Sequence, residues 1–194
     1  MIESQFRFDP DPHTYIDLES GEEIPHITGM LAQTGWIDDR FYTEQSSERG
    51  TAVHRLTADF DLGAVHLATC VAGEYRPYLL AHVKVVTVAQ LEMIAVEQPL
   101  VHPRLHFGGR PDRLMRMLNR RGVWEIKTGA PEKSHSIQTA LQAILAEIVT
   151  DIPAEHQARY ACYLTAGGKA KVEEHKNRRD FDEARRIVRE CCGT

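Results

Sequence analysis

Residues 105–128 limit the fold of this chain more than any other segment. The pattern predicts two strands, 105–118 and 123–128, joined by a turn at Asn119–Gly122. Side chains alternate between the two faces of a strand. Glu125 and Lys127 should therefore share one face, while Trp124 and Ile126 point to the other and suit a core.

The elements around these strands predict an α/β domain with helices before and between the strands. Ile137, Leu141, Leu145 and Ile148 are spaced three to four residues apart, which indicates a helix over 134–150. Further elements are predicted as follows: strands at 6–8, 14–16, 93–101, 159–165 and 170–174, a short helix capped by Thr28 and ending at Gly35, helices over 45–60 and 74–86, and a basic helix from about 181.

Length and composition favour one globular domain. The chain has 194 residues, of which 42% are hydrophobic and 26% charged, so disorder and a disulfide scaffold are excluded. We expect a single domain over 1–194, with an acidic lead-in at 1–48, a core at about 49–175 and a basic C-terminal helix at about 180–192.

The net charge of −5 is unevenly distributed. Residues 1–48 hold 11 acidic and 2 basic residues, a balance of −9, whereas residues 49–194 hold 17 acidic and 21 basic residues, a balance of +4. A polyanionic partner for the larger part is therefore compatible with the composition. Basic residues cluster at Arg110, Arg113, Arg116, Arg120 and Arg121, and again near the C-terminus.

No apolar run is long enough to span a bilayer, and no signal-peptide pattern opens the chain. The four cysteines, Cys70, Cys162, Cys191 and Cys192, are too irregular for a secreted framework and are expected to be reduced. We expect a cytoplasmic protein without a membrane partner.

Asp112, Glu125 and Lys127 form the sharpest chemical signal. With a turn centred on Arg120-Arg121, Leu114 should face Lys127, and Asp112 should lie one same-face step beyond. Two ionised carboxylates that converge repel each other, and a divalent cation relieves the repulsion. Oxygen ligands favour Mg²⁺ or Mn²⁺, which activate water and polarise a phosphoryl oxygen. The alternative is an ordinary surface salt bridge on a two-stranded ribbon.

Four motifs in this order resemble those of the PD-(D/E)xK nuclease superfamily, in its RecB-like, phage-type exonuclease branch. They are Arg49–His54, Gly108–Asp112, Glu125–Lys127 and Gln138, and the resemblance covers about residues 49–145. It implies a restriction-endonuclease-like core, in which a central mixed β-sheet is flanked by helices.

The resemblance also implies roles for single residues. Asp112, Glu125, His54 and the Ile126 carbonyl would hold the metal, and Lys127 would position the attacking water. Gln138 would contact the DNA backbone. Without the motif, His54 is more simply a core or cap histidine.

This chain departs from the family at two points. Gln142 stands where the family motif has tyrosine, so DNA contacts there should differ. Some relatives carry an iron–sulfur cluster, but Cys70 follows the His54 motif instead of preceding it, and adjacent Cys191 and Cys192 could hardly both ligate one cluster. We expect no iron–sulfur cluster.

Residues near these motifs are further candidates. Glu97 is either an additional acid near the metal or a solvated strand residue, and the sequence favours neither. Lys133 and Ser134, at the start of the helix that carries Gln138, are candidate phosphate contacts because helix N-termini attract anions. Arg110 is a further candidate for DNA binding.

These observations predict a Mg²⁺- or Mn²⁺-dependent deoxyribonuclease, an exonuclease acting on single- or double-stranded DNA ends in phage-type recombination or DNA processing. It would work in the cytosol of a bacterium or a phage-infected host. The alternatives are a structure-specific or restriction-like endonuclease and a non-catalytic DNA- or partner-binding module. A recombination or replication partner protein and self-association are left open.

Overall fold

A five-stranded mixed sheet lies at the centre of the molecule. The computed structural model describes residues 5–11, 13–37, 43–66 and 73–193. The sheet comprises β3 (Glu92–Val96), β6 (Arg113–Met117), β7 (Arg120–Lys127), β8 (Ala158–Leu164) and β9 (Ala170–Glu174), in the order β3-β6-β7-β8-β9. Only β7 and β8 pair in parallel within this sheet.

Helices cover both faces of the sheet. They are α1 (Ile27–Gln33), α2 (Glu44–Asp61), α3 (Arg76–Val88), α4 (Lys133–Thr150) and α5 (Arg179–Cys192). Leu114 and Val123 point to one face and pack in a core with α1, α4 and α5. Trp124 and Ile126 point to the other face and pack in a core with α2 and α3. The prediction of an α/β fold with a central mixed sheet flanked by helices is confirmed.

The structure also contains two small antiparallel sheets of two strands each. β1 (Phe6–Asp9) pairs with β2 (Thr14–Asp17), and β4 (Leu100–Val101) pairs with β5 (Gly108–Gly109). The 310 helices Gly73–Tyr75 and Ala154–His156 complete the elements in the described part of the chain.

Local sequence explains where the two longest helices begin. Thr43 and Ser46 form a reciprocal capping box at the start of α2, which satisfies backbone N–H groups that have no partner within the helix. Glu132 and His135 do the same for α4. These caps fix the starting points of the two helices that carry His54 and Gln138.

The predicted strand over 93–101 is wrong as one element. It is broken at Glu97, whose φ of 48° lies in the left-handed region that non-glycine residues seldom adopt. The predicted strand over 105–118 is likewise divided, because β5 ends at Gly109 and β6 begins at Arg113. Both breaks lie beside Asp112, so the chain leaves the strand conformation where Glu97 and Asp112 come together.

The predicted turn at Asn119–Gly122 is also wrong. Met117 pairs with Arg120, and Leu118 has a φ of 54°, so the turn is Leu118-Asn119. Leu114 therefore faces Val123 instead of Lys127. The shift is four residues, an even number, so every side chain keeps its predicted face.

Two smaller expectations also need correction. The side chain of His26, rather than Thr28, accepts a hydrogen bond from Gly29 N and caps α1. Ile148 is 40% exposed, whereas the other three apolar positions predicted for that helix are buried.

The predicted C-terminal helix is present as α5, but its four arginines are matched by four acidic residues, so the helix is not basic overall. Cys191 and Cys192 lie at its end and Cys162 is buried in β8, while Cys70 lies outside the described residues. Among the described residues, no helix combines the length and apolar character that a bilayer crossing requires.

Candidate metal centre and cleft

Asp112 lies between β5 and β6 and is fastened to β7. Its Oδ2 accepts a hydrogen bond from Ile126 N at 2.6 Å, and the residue is only 5% exposed. Since one oxygen is held by the β7 backbone, the position of the carboxylate is fixed by the sheet. The other oxygen, Oδ1, lies 3.1 Å from His54 Nδ1.

His54 extends from α2 towards the acids. Its Nδ1 lies 3.1 Å from Asp112 Oδ1 and 3.8 Å from Glu97 Oε1. Burial disfavours the charged imidazole, but the Asp112 carboxylate, together with Glu97, outweighs burial and raises the pKa of His54 to about 10. The neighbouring carboxylates therefore dominate the charge that acts on this imidazole.

Glu97 owes its place to the break between β3 and β4. Its N–H donates to Asp112 O at 3.0 Å, which holds the left-handed backbone in place. Its carboxylate forms ion pairs with Arg110 Nε at 3.1 Å and with Arg113 Nη1 at 3.4 Å. The sequence left open whether Glu97 is an additional acid of the site or a solvated strand residue. In the structure Glu97 lies beside Asp112 and His54.

His54, Glu97 and Asp112 each offer a ligand atom, and these atoms lie within 4.8 Å of one another. We call these three residues the acid–histidine cluster. Two carboxylate oxygens and one imidazole nitrogen suit a small divalent cation such as Mg²⁺ or Mn²⁺.

Glu125 and Lys127 lie on the same face of β7, as strand alternation predicts. Lys127 Nζ donates to Glu125 Oε1 at 2.8 Å and to Gln138 Oε1 at 2.9 Å. Gln138 Nε2 in turn donates to Glu125 Oε1 at 2.7 Å. Gln138, expected to contact DNA, thus holds the acid and the lysine together.

Gln142 is a site residue that sequence reasoning missed. Its Nε2 donates to Glu125 Oε2 at 2.6 Å, so both oxygens of the 2%-exposed Glu125 accept hydrogen bonds from neighbouring side chains. Its Oε1 is buried without a hydrogen-bond partner among the described residues. The only sequence signal was the departure from tyrosine at this position.

Glu125 is not one of the three clustered ligands. It lines the same cleft as Asp112, but its oxygens are engaged by Lys127, Gln138 and Gln142. The Ile126 backbone reaches the site through its N–H, and metal contact by its carbonyl stays a prediction.

Arg113 joins the cluster to the interior. Its guanidinium contacts Asp61 Oδ2 at 2.6 Å, Thr57 Oγ1 at 3.1 Å and Asp112 O at 2.7 Å, besides Glu97. Arg113 is 0% exposed, so it is not the surface cation that its place in a basic cluster suggested. A buried arginine with these partners holds together the two segments that carry the acids of the cluster, Glu97 after β3 and Asp112 before β6.

A cleft of about 710 Å³ opens over the cluster. His54, Glu97, Asp112 and Glu125 line it. Lys127 lines a neighbouring cavity of about 270 Å³, and His54 borders both spaces. The two spaces therefore meet at the histidine of the cluster.

The other predicted DNA contacts lie in different surroundings. Arg110 lines the cleft, pairs with Glu97 and lies over the Phe8 ring at 5.5 Å. Lys133 is exposed at the start of α4, and Ser134 is buried with its hydroxyl 3.5 Å from Glu132 Oε2. Neither of these two lines the cleft, so the structure brings Arg110 but not Lys133 or Ser134 to the site.

No known protein family and no curated protein matches the sequence.

Proposed function

We propose that this protein is a divalent-metal-dependent phosphodiester hydrolase that acts on DNA, with an exonuclease mode and a PD-(D/E)xK type of site. The observation that supports this best is the acid–histidine cluster, whose ligand atoms lie within 4.8 Å of one another at the floor of a cleft. Lys127, which is held by Glu125 and Gln138, lines the cavity next to that cleft.

The chemistry of the donors fits Mg²⁺ or Mn²⁺. Asp112 and Glu97 provide hard oxygens, and His54 provides a nitrogen that Mn²⁺ accepts well. The Asp112 and Glu97 carboxylates repel each other less when a cation lies between them, and that cation would take the place of the proton on His54. These three residues would hold the ion, with Glu125 beside them in the cleft wall.

When bound, the metal supplies Lewis-acid activation of water and of a phosphoryl oxygen. The protein supplies a fixed cation, because Glu125 and Gln138 hold Lys127 Nζ at 2.8 and 2.9 Å. A fixed ammonium group orients an attacking water and stabilises the negative charge that develops on the phosphate oxygens. Gln142 keeps Glu125 in the geometry that this requires.

The charge around the cleft is suited to a phosphodiester chain. Arg55 and Arg110 line it, and arginine neutralises phosphate without reading base sequence. Binding should accordingly depend on salt and little on sequence.

The experiment is DNA digestion with and without Mg²⁺ or Mn²⁺. We expect linear, end-labelled DNA to be degraded only with the metal, and EDTA to stop the reaction. Asp112→Asn and Lys127→Met should each lower the rate by at least about a hundredfold, because the first weakens metal binding and the second removes a cation aimed at the transition state.

Two matched variants control for charge alone. Asp182→Asn changes an exposed aspartate on α5, and Lys171→Met changes an exposed lysine on β9; both should retain full activity. Thermal unfolding of all four proteins would check that they fold. Undiminished digestion by folded Asp112→Asn or Lys127→Met would refute this mechanism.

The same assay separates the alternatives. Covalently closed circular DNA has no ends, so an exonuclease leaves it intact, whereas an endonuclease nicks or linearises it. DNA binding without metal-dependent cleavage of any substrate would identify a non-catalytic binding module instead.

A further inference from the structure

Part of the cleft wall comes from the N-terminal segment and carries two histidine rings. His13 follows β1 and His26 precedes α1, and both line the cleft together with His54 and Asp112. The acid–histidine cluster and Lys127 account for cleavage without them. Their presence in the cleft therefore calls for a separate explanation.

The rings are held in an aromatic cluster. The His13 centroid lies 5.6 Å from that of His26, 5.1 Å from that of Phe8 and 5.8 Å from that of Tyr15. His13 has a φ of 69°, which is unfavourable for a residue with a side chain. Strained backbone of this kind is often retained where a side chain serves a site.

This wall is rigidly connected to the metal-binding side. Gly108 N donates to Pro25 O at 2.8 Å, and His26 forms a β-bridge to Gly108. A Cβ at Gly108 would lie 2.9 Å from the Tyr15 ring, so only glycine permits this approach. Asp112 follows Gly108 by four residues, so a short segment connects the histidine rings to the metal-binding side.

The two rings are neutral near pH 7. Burial, reinforced by Arg110, lowers the pKa of His13 to about 4, and burial lowers the pKa of His26. A neutral imidazole does not neutralise phosphate. It can stack on a nucleobase, as aromatic side chains do in proteins that bind single strands.

We propose that the His13 ring, with the His26 ring inclined to it at 67°, forms a stacking surface for an unpaired nucleobase next to the bond that is cut, so that the substrate is single-stranded DNA or a frayed end. Bases in an intact duplex are stacked on one another and cannot offer a face to the protein. Arg110, which lies between Phe8 and Glu97, would neutralise the adjoining phosphate. This inference rests on the proposed function and specifies its substrate.

The test measures binding without cleavage. The Lys127→Met protein in EDTA is titrated against a fluorescein-labelled oligothymidylate strand and against a blunt duplex of equal length, by fluorescence anisotropy. We expect the single strand to bind more tightly. Adding His13→Asn should weaken single-strand binding by about tenfold, the loss expected for one stacked base, and leave duplex binding unchanged.

The variants are chosen to isolate the ring. Asparagine tolerates the left-handed backbone at His13, and His13→Tyr restores an aromatic face and should recover binding. His106→Asn is the matched control, because His106 also has a positive φ, 50°, but does not line the cleft; it should bind like the parent. His26 is left intact because it caps α1.

Strands with one abasic residue at each position in turn provide the decisive measurement. An abasic residue at one position near the end should weaken binding of the strand to the protein that retains His13. The His13→Asn protein should bind that abasic strand and the unmodified strand equally well. Equal affinity for duplex and single strand, or an abasic penalty that persists in His13→Asn, would overturn the inference. Metal-dependent digestion with no effect of His13→Asn on binding would support the proposed hydrolase and refute the stacking surface. Selective binding of the single strand without any digestion would support the stacking surface and refute the hydrolase.

Discussion

Among single residues, Arg113 has the most consequential environment. It is fully buried and pairs with Asp61, which is itself almost inaccessible. Arg113→Met would leave the Asp61 carboxylate with the side-chain contact to His82 among the described residues. We expect the free energy of unfolding to fall by about 3–5 kcal/mol, as when one member of a buried ion pair is removed, measured by urea denaturation.

The matched control is Arg186→Met. Arg186 pairs with Glu183 and Glu190 on the exposed surface of α5, where a salt bridge contributes less than about 1 kcal/mol. A similar small loss for Arg113→Met would show that the buried network does not stabilise the fold.

His135 should make stability depend on pH. Burial, with a smaller effect of Lys127, lowers its pKa from 6.5 to about 4. Between these two pKa values, His135 binds a proton in the unfolded chain but not in the folded chain. The free energy of unfolding therefore falls as the pH decreases from 6.5 towards 4. His135→Gln should remove about 2 kcal/mol or more of that fall, seen as a shallower pH profile of unfolding free energy.

The profile, not the absolute stability, is the readout for His135→Gln, because the imidazole also contacts Tyr163 Oη at 3.1 Å. His156→Gln serves as the control, since it changes a histidine on the short 310 helix. Parallel profiles for His135→Gln and the parent protein would contradict the assignment.

How far the sequence predicts single residues depends on whether their role is local. The shared face of Glu125 and Lys127 follows from the two-residue period of a strand, and it is confirmed. The buried position of Arg113 could not be predicted, because its partners Asp61 and Thr57 lie more than fifty residues away in the chain. The sequence singled out Gln142 only because it replaces the tyrosine of the family motif. Its contact with Glu125 could not be predicted, since it depends on how α4 packs against β7.

At the scale of elements, Gly122 decides how closely β7 and β8 approach. A Cβ there would overlap the Ala158 carbonyl oxygen, so the residue that resembled a turn glycine is a close-contact glycine. Gly122→Ala should force the parallel pair apart and lower the unfolding free energy by about 3 kcal/mol, measured by urea denaturation.

Gly129→Ala is the control for Gly122→Ala. A Cβ at Gly129 meets nothing within 4 Å, so this variant should unfold at about the same urea concentration as the parent. Equal effects of the two substitutions would mean that β7 and β8 can separate at little cost.

Element boundaries were harder to predict than element types. Strands 93–101 and 105–118 look continuous because apolar residues lie near both ends of each segment. The break at Glu97 depends on the hydrogen bond from its N–H to Asp112 O, and the turn at Leu118-Asn119 depends on the register in which Met117 of β6 pairs with Arg120 of β7. Both are tertiary effects that override local pattern.

For the whole molecule, metal binding should appear as stability. A ligand that binds only the folded state at a hundred times its dissociation constant adds about 2.7 kcal/mol, which corresponds to a rise of about 5–10 °C in Tm at this size. We expect Mn²⁺ to raise the Tm of the protein, and Asp112→Asn or Glu97→Gln to abolish the rise. An unchanged Tm in the parent protein at saturating Mn²⁺ would argue against the cluster as a metal site, and Na⁺ at equal ionic strength excludes a general salt effect.

The parallel pairing of β7 with β8 determines when a nascent chain can become active. Lys127 ends β7, its partner Gln138 lies on the helix that crosses to β8, and β8 ends at Leu164. Parallel pairs close long loops and form late in folding. During synthesis, a site of this construction stays incomplete until β8 has left the ribosome, so Lys127 and its partners reach their places only after synthesis has passed Leu164.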